Sequence, residues 1–543
     1  MTKPQTITIT NFSGRLTRII NGDLNSGFAK FKTSYGYDPF SKPLNLTWAS
    51  SPTSIVSGIS DTWLAAKTRF EIDTQYVYAV GSSGKIYRTQ PNTINNPNLN
   101  SVIGIGSVAV NSPTFNYGAS IDFFGNPANV YVGSDGQINS LPVSSIGAGF
   151  AGDAVVGSAA NYTVNTGRSL KQFQGKLAFG NGITFGLIGS TNTVVSSIRG
   201  VAVGGNIYSE IDPQLGNENY VRDMDVSPDY NYLLLTTSTV RPENILTVAQ
   251  DRQTAAGGEG NLFQWNGTDG TVTAGTSVPS QILTALQTYL QRNIFFGNDA
   301  FGLTVSDGTQ KILGLPNNKS PLPYATGVNG NFTHWASVET DIDNNKMYCS
   351  LYYFGQLDHE NPTGLYRLLR FNTTLTDGFV YQVPVNILVN NNYDTVNNAI
   401  TTVQNLGYGK HYISAREINA STTANKLYSF VVSPDDTLTP QLGVYETQTQ
   451  LFSKRIDVKQ IRVYTEPVVA GNAFTLEMIG SDGEVLTNGT YTYTFGDPVD
   501  ANERINFNPN ASTGYALGIR ITNTGTTNMT VKKIEVDWDQ QGK

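Results

Sequence analysis

From about residue 60 to about residue 430 short apolar runs alternate with Gly, Ser, Asp and Asn corners, and one strand-turn-strand unit returns in loose copies. The clearest copies are YVYAVGSSGKIYR from Tyr76 and NVYVGSDGQINS from Asn129, where Ser-Gly and Asp-Gly corners favour a tight hairpin. Weaker copies are KLAFGNGITFGLIGS from Lys176, YNYLLLTTS from Tyr230, NIFFGNDAFGLTVSDGTQKIL from Asn293, NKMYCSLYYF from Asn345 with GLYRLLRF from Gly364, and KHYISAREI from Lys410 with KLYSFVVS from Lys426. A lone hairpin cannot bury its own apolar face, so recurrence implies units stacked on one another. The spacing of roughly 45 to 70 residues suits four-strand blades and is too long for a short-repeat solenoid. The pattern predicts an all-β fold, with a β-propeller of about seven blades over residues 49–445. Tyr78, Val80, Tyr131, Leu177, Phe179, Leu234, Phe296, Tyr348 and Tyr412 are expected on its core-packed strands. A large sandwich, or a pair of them, uses the same short strands and is the alternative.

Three other segments depart from this repeat. SQILTALQTYLQR from Ser280 predicts a helix, with Ser280 as cap and Ile282, Leu283, Leu286 and Leu290 on one face. Residues 446–543 carry IDVKQIRVYTE, AFTLEMIG, TYTYTF, RINFN, YALGIRITNTG and MTVKKIEVDWD, separated by SDG, NG and Asn/Thr corners. Six strands without a helix predict a small antiparallel β-sandwich that folds by itself from about Lys454. In residues 1–48, TITIT from Thr6 reads as a strand. The remainder is irregular, with Phe28, Phe31, Tyr35 and Phe40 as expected anchors of an assembly arm ordered by a partner.

Composition fits a turn-rich all-β chain: 39% hydrophobic and 14% charged residues, with 54 Gly, 28 Tyr and 25 Phe. The N-terminus MTKPQTITIT lacks the apolar core of a signal peptide, and no run approaches the roughly 18 apolar residues of a membrane span. No membrane insertion is expected, and synthesis is expected in a cytoplasm. Cys349 is the single cysteine and reads as a buried strand thiol. Asn-X-Ser/Thr triplets at Asn11, Asn45, Asn161, Asn266, Asn372 and Asn488 then reflect Asn/Thr-rich composition. With 35 Lys+Arg against 42 Asp+Glu, and cations grouped only at Lys454, Arg455 and the N-terminal arm, tight or sequence-specific nucleic-acid binding is not expected.

Motifs that carry chemistry are scarce. GAGFAG from Gly147 has the Gly-X-Gly-X-X-Gly spacing, but an all-β context and no acidic residue about twenty positions on make it an interblade loop. His334, His359 and His411 are far apart and lack ligand spacing. Asp341, Asp343 and Asn345 alternate as in a calcium loop, because a hard cation needs converging oxygens. Lys346 stands where that loop needs Gly, and Tyr352 where it needs Glu, leaving a weak calcium candidate against a plain polar corner. SPD at Ser227 and at Ser433 matches the turn of some propeller repeats. Neither copy continues into the Asp-X-Gly-X-Thr-Trp pattern of sialidase-type blades. No catalytic residue, cofactor or enzymatic activity is expected.

NFSGRLTRIINGDLNSGFAKFKTSYGYDPFSKPLNLTW at the N-terminus, the units VYAVGSSGKIYR and FQGKLAFGNG, and the ending ALGIRITNTGTTNMTVKKIEVDWD together resemble tail-associated virion proteins of tailed bacteriophages. The resemblance is a pattern of parts spanning nearly the whole chain, without a diagnostic motif. It implies a structural component of a phage tail, at the nozzle, collar or tip. It also implies virion localisation, a homo-oligomeric ring, other tail proteins as partners, and contact with a host receptor or glycan. Two further classes stay open: a glycan-binding or glycan-hydrolysing propeller, since paired carboxylates are available among the acidic residues, and a cytoplasmic propeller scaffold.

Overall fold

A computed structural model describes residues 4–12, residues 31–48 apart from 36, 39–41 and 43, the strands and several turns between 53 and 431, residue 440, and residues 443–540 apart from 511. The described chain is all-β, with one 3-10 turn at Val143–Ser145. Among the described residues no helix is long and apolar enough to cross a membrane.

Among the described residues are seven four-stranded antiparallel sheets in which neighbouring strands pair in chain order. The first holds Trp63–Glu71, Thr74–Gly81, Lys85–Thr93 and Asn96–Ser107. The second begins at Ser120–Phe124, the third at Leu170–Phe173, the fourth at Tyr220–Val226, the fifth at Leu283–Tyr289 and the sixth at Val338–Asp341. The seventh takes three strands from Ala399–Asn405, Lys410–Asn419 and Thr422–Val431. Its fourth strand, Thr53–Ile59, comes from the start of the series. Each sheet's first strand touches the first strand of the next, and that of the seventh touches that of the first.

Alternation explains why these segments are strands. In the second sheet Val130, Val132 and Leu141 join Tyr78, Val80 and Ile86 of the first sheet in one buried cluster. Tyr131 and Ile138, from the opposite face, join Leu177, Phe179 and Ile188 of the third. The second sheet is thus apolar on both faces and works as a wedge between its neighbours. Between the third and fourth sheets Trp265 packs with Phe173 and Phe185, ring centroids 5.9 and 5.2 Å apart. Six of the nine residues expected on core strands, Tyr78, Val80, Tyr131, Leu177, Phe179 and Leu234, are buried. Phe296, Tyr348 and Tyr412 lie on strands.

The helix expected from Ser280 is not formed; its centre is the strand Leu283–Tyr289, paired with Arg292–Gly297. Leu, Ala and Gln favour helix locally, but tertiary context overrides propensity. On the free side of this strand the alternate N–H groups of Leu286 and Thr288 are taken by carboxylates of the fourth sheet, an arrangement a helix cannot offer.

The C-terminal strands do form a β-structure, but the described strands of residues 1–48 belong to it. Eleven strands join in one system that includes Gln5–Ile9, Phe31–Tyr35, Tyr37–Asp38 and Leu46–Trp48. Gln5–Ile9 runs antiparallel to the last strand, Ile7 opposite Val536 and Ile9 opposite Ile534. Phe31–Tyr35 pairs with Val444–Thr447, and Leu46–Trp48 with the start of Thr530–Gln540. The shared core contains Ile7, Ile9, Phe12, Phe31, Tyr37, Leu46 and Trp48 beside Tyr445, Ile461, Val463, Phe474, Leu476, Ile521 and Val536. Tyr445 is its hub, with Phe12, Phe31 and Tyr37 rings at 5.6, 6.0 and 6.3 Å. The separate docking arm is therefore revised: the described part of residues 1–48 completes the C-terminal core. Phe31–Tyr35 and Tyr37–Asp38 also lie against Val380–Asn386, the last strand of the sixth sheet.

Candidate functional site

The residues singled out in the sequence do not converge. Phe31 is wholly buried in the shared core, and Tyr35 opposes Val444. Phe28 and Phe40 lie outside the described residues. Of the calcium candidate, Asp341 ends a strand opposite Lys346, whereas Asp343 and Asn345 lie outside the described residues. No group of three or more metal-ligating side chains occurs among the described residues. His334, His359, the Gly147 loop and the SPD copy at Ser433 are outside them as well. The SPD copy at Ser227 is a turn in which Asp229 accepts from the Ser227 hydroxyl, at 2.5 Å, and from the Asn231 amide.

What the fold brings together is a set of charged side chains on the first strands of adjacent sheets. Lys67 of the first sheet reaches Asp122 of the second at 2.7 Å, and Asp122 also accepts the Phe123 N–H. Gln172 of the third sheet donates to the Phe123 carbonyl of the second. Lys171 of the third sheet pairs with Asp225 of the fourth. Asp223 and Asp225, at alternate positions of Tyr220–Val226, reach across to the fifth sheet: Asp223 accepts the Leu286 N–H at 2.8 Å and Asp225 the Thr288 N–H at 2.5 Å. The Thr288 hydroxyl donates to the Val226 carbonyl at 2.5 Å. Ser169, just before the third sheet, donates to Asp223 at 3.0 Å and accepts the Met224 N–H at 3.1 Å.

Hydrogen bonds and ion pairs thus link five successive sheets through their first strands. Two carboxylates spaced two residues apart match two N–H groups spaced two residues apart, so side chains extend the pairing pattern where backbone pairing stops. Burial alone would depress the Lys171 ammonium, but Asp225, with Asp122 and Asp223 behind it, holds it above its usual value. Asp223 is raised as well, but by burial rather than by a partner. Burial pushes its carboxyl up to about 6, against the opposing pull of the Leu286, Met224 and Ser169 donors, and the Asp225 charge adds to the rise. Chemically this arrangement is a clasp: each carboxylate is held by backbone N–H groups, a lysine or the Ser169 hydroxyl.

Sequence reasoning missed these residues. The available signal was Asp-Met-Asp inside the strand segment VRDMDV, together with Lys67, Asp122 and Lys171 in the strands that open their sheets. Charges at alternate positions of a strand are ordinarily solvated, and only the neighbouring sheets bury these.

No protein-family model and no curated protein matches the chain. Among solved structures, the Dos1 propeller shares 10% identity over 80% of this chain and 95% of its own, with a TM-score of 0.38. Kuenenia stuttgartiensis hydrazine synthase shares 10% over 65% of this chain and 92% of its own, at 0.40. The computationally designed Ika8 protein shares 11% over 69% and 99%, at 0.36. These likenesses are distant. The all-β architecture of this chain stands on its own strand pairing, with seven four-stranded antiparallel sheets among the described residues beside a system that pairs Gln5–Ile9 with Thr530–Gln540.

Proposed function

We propose that this chain is a structural component of a phage tail, at the nozzle, collar or tip, built as a seven-bladed β-propeller carried on a β-sandwich. The observation that carries the propeller is the cyclic order of the seven sheets, each touching the next through its first strand, with Thr53–Ile59 completing the last sheet from the other end of the series. A closed ring leaves short outer edges and wide loop faces, a geometry suited to an assembly part that must persist outside a cell. The tail role itself rests on the resemblance of the N-terminal run, the repeats and the C-terminal ending to tail-associated virion proteins. The clasp adds physical support, because ion pairs and side-chain hydrogen bonds between sheets strengthen a scaffold.

The test is made on particles of the phage that encodes the chain. Peptides of this protein should appear in purified particles by mass spectrometry at a constant ratio to the major tail protein, and antibodies against it should label the tail. Particles that lack the protein and stay unlabelled would overturn the assignment. A polysaccharide array run beside it separates the glycan class: retention on a defined glycan by protein absent from particles would favour that alternative.

A further inference from the structure

We propose that Asp223 is a proton-controlled fastener at the seam between the fourth and fifth sheets, tightening the seam as the solution turns acidic. This inference is independent of the tail assignment.

Three uncharged donors reach Asp223. The Leu286 N–H of the fifth sheet bonds to Oδ2 at 2.8 Å, and Oδ1 receives the Met224 N–H at 2.9 Å and the Ser169 hydroxyl at 3.0 Å. The charged groups around it are unequal. Asp225 lies two residues along the same strand and holds Lys171, the cation that the third sheet contributes. Asp122 of the second sheet adds further negative charge to the cluster around Lys171. Arg222, its neighbour in the chain, is itself buried. The adjoining strands Leu233–Ser238 and Leu283–Tyr289 contain no charged residue. The ionised seam therefore sets two carboxylates side by side, with Lys171 paired to Asp225.

A proton on Oδ1 removes that repulsion without losing the seam. Oδ2 still accepts from Leu286, and the new O–H finds an acceptor in the Ser169 oxygen, whose second lone pair continues to take the Met224 N–H at 3.1 Å. Burial favours the same neutral form and lifts the carboxyl to about 6. The sign follows from linkage. A group that binds its proton more tightly when folded stabilises the fold fully below its unfolded pKa, and that contribution is lost as pH rises through about 6.

Hydrogen exchange of the Leu286 and Thr288 amides in the full-length protein, corrected for intrinsic rate, reads the seam directly. Between pH 7.5 and pH 5 protection at Leu286 should rise by up to about tenfold. In Asp223→Asn the carboxamide oxygen can face Leu286 and its NH₂ can face Ser169, the pattern of the protonated acid. Protection should then be high and constant over the same range. Ser169→Ala removes a donor that favours the ionised carboxylate, and should move the gain in protection to higher pH. Corrected protection at Leu286 that ignores pH in the natural protein, or Asp223→Asn with an undiminished pH slope, overturns the proposal. Should Asp223→Asn not fold, Ser169→Ala with protection rising at the natural pH overturns it equally.

Discussion

Arg462 reaches two carboxylates of the neighbouring strand at once, Glu535 through Nε at 2.9 Å and Asp537 through both terminal nitrogens at 2.6 and 2.8 Å. Glu535 also accepts from Tyr464 at 2.9 Å and Lys533 at 2.7 Å. Burial raises the Glu535 carboxyl, but the bonds from Lys533, Arg462 and Tyr464 outweigh it and bring it down to about 2. A depressed acid contributes stability above its unfolded value, and that contribution is lost as pH falls through the folded one. The Tm should therefore fall between about pH 4.5 and pH 2, with this network contributing about 1–2 kcal/mol after solvent screening. Glu535→Gln should show lower stability at pH 7 and a flatter acid limb, both measurable by thermal denaturation across pH. Phe31 offers a second residue-level test. Its burial under Tyr445 predicts that Phe31→Ala costs about 3–5 kcal/mol. Lys32→Ala, at the adjacent half-exposed Lys32–Glu446 pair, should cost under about 1 kcal/mol because Arg520 also holds Glu446. Urea unfolding of the two variants decides; equal losses would mean that Phe31 is a surface anchor.

Among elements, the strands supplied by residues 1–48 have the sharpest consequence. Ile7, Ile9, Phe12, Phe31, Tyr37, Leu46 and Trp48 are buried against the C-terminal strands. Each such side chain contributes about 1.5–3 kcal/mol, so their joint removal exceeds the usual margin of a domain. A fragment beginning at Lys454 should then lack a cooperative transition, contrary to the expectation from its sequence, and joining residues 1–48 and 440–453 to it should restore one by circular dichroism. These pairings explain what was legible. Hairpins such as Tyr76 to Arg88 announce themselves because corner and partner strand lie within one window, and Thr6 to Thr10 alternates visibly. The partner of that strand is at the far end of the chain, where no local pattern can point to it. The segment from Ser280 failed for a related reason: Leu286 and Thr288 answer to Asp223 and Asp225 rather than to their own neighbours. The clasp went unread because its carboxylates are exposed or buried only by grace of the adjoining sheets.

At the scale of the whole molecule, the seventh sheet is completed by Thr53–Ile59, which joins the start of the sheet series to its end. Replacing residues 53–59 by a Gly/Ser linker should leave individual hairpins formed yet broaden the calorimetric unfolding of the seven sheets, because no strand then ties the two ends together. An unchanged, sharp transition would show that the seven sheets are held by their facing contacts alone. The same logic extends to the earliest minutes of the protein's existence. Thr6 hydrogen-bonds to Asp537, 531 residues away, so a ribosome adds all of those residues before this strand meets its mate. At about 5–20 residues per second, Ile7 and Ile9 wait for roughly half a minute or more without a partner. Closure of this sheet thus comes late, and its yield in a foreign host should depend on the chaperones that shelter the unpaired strand.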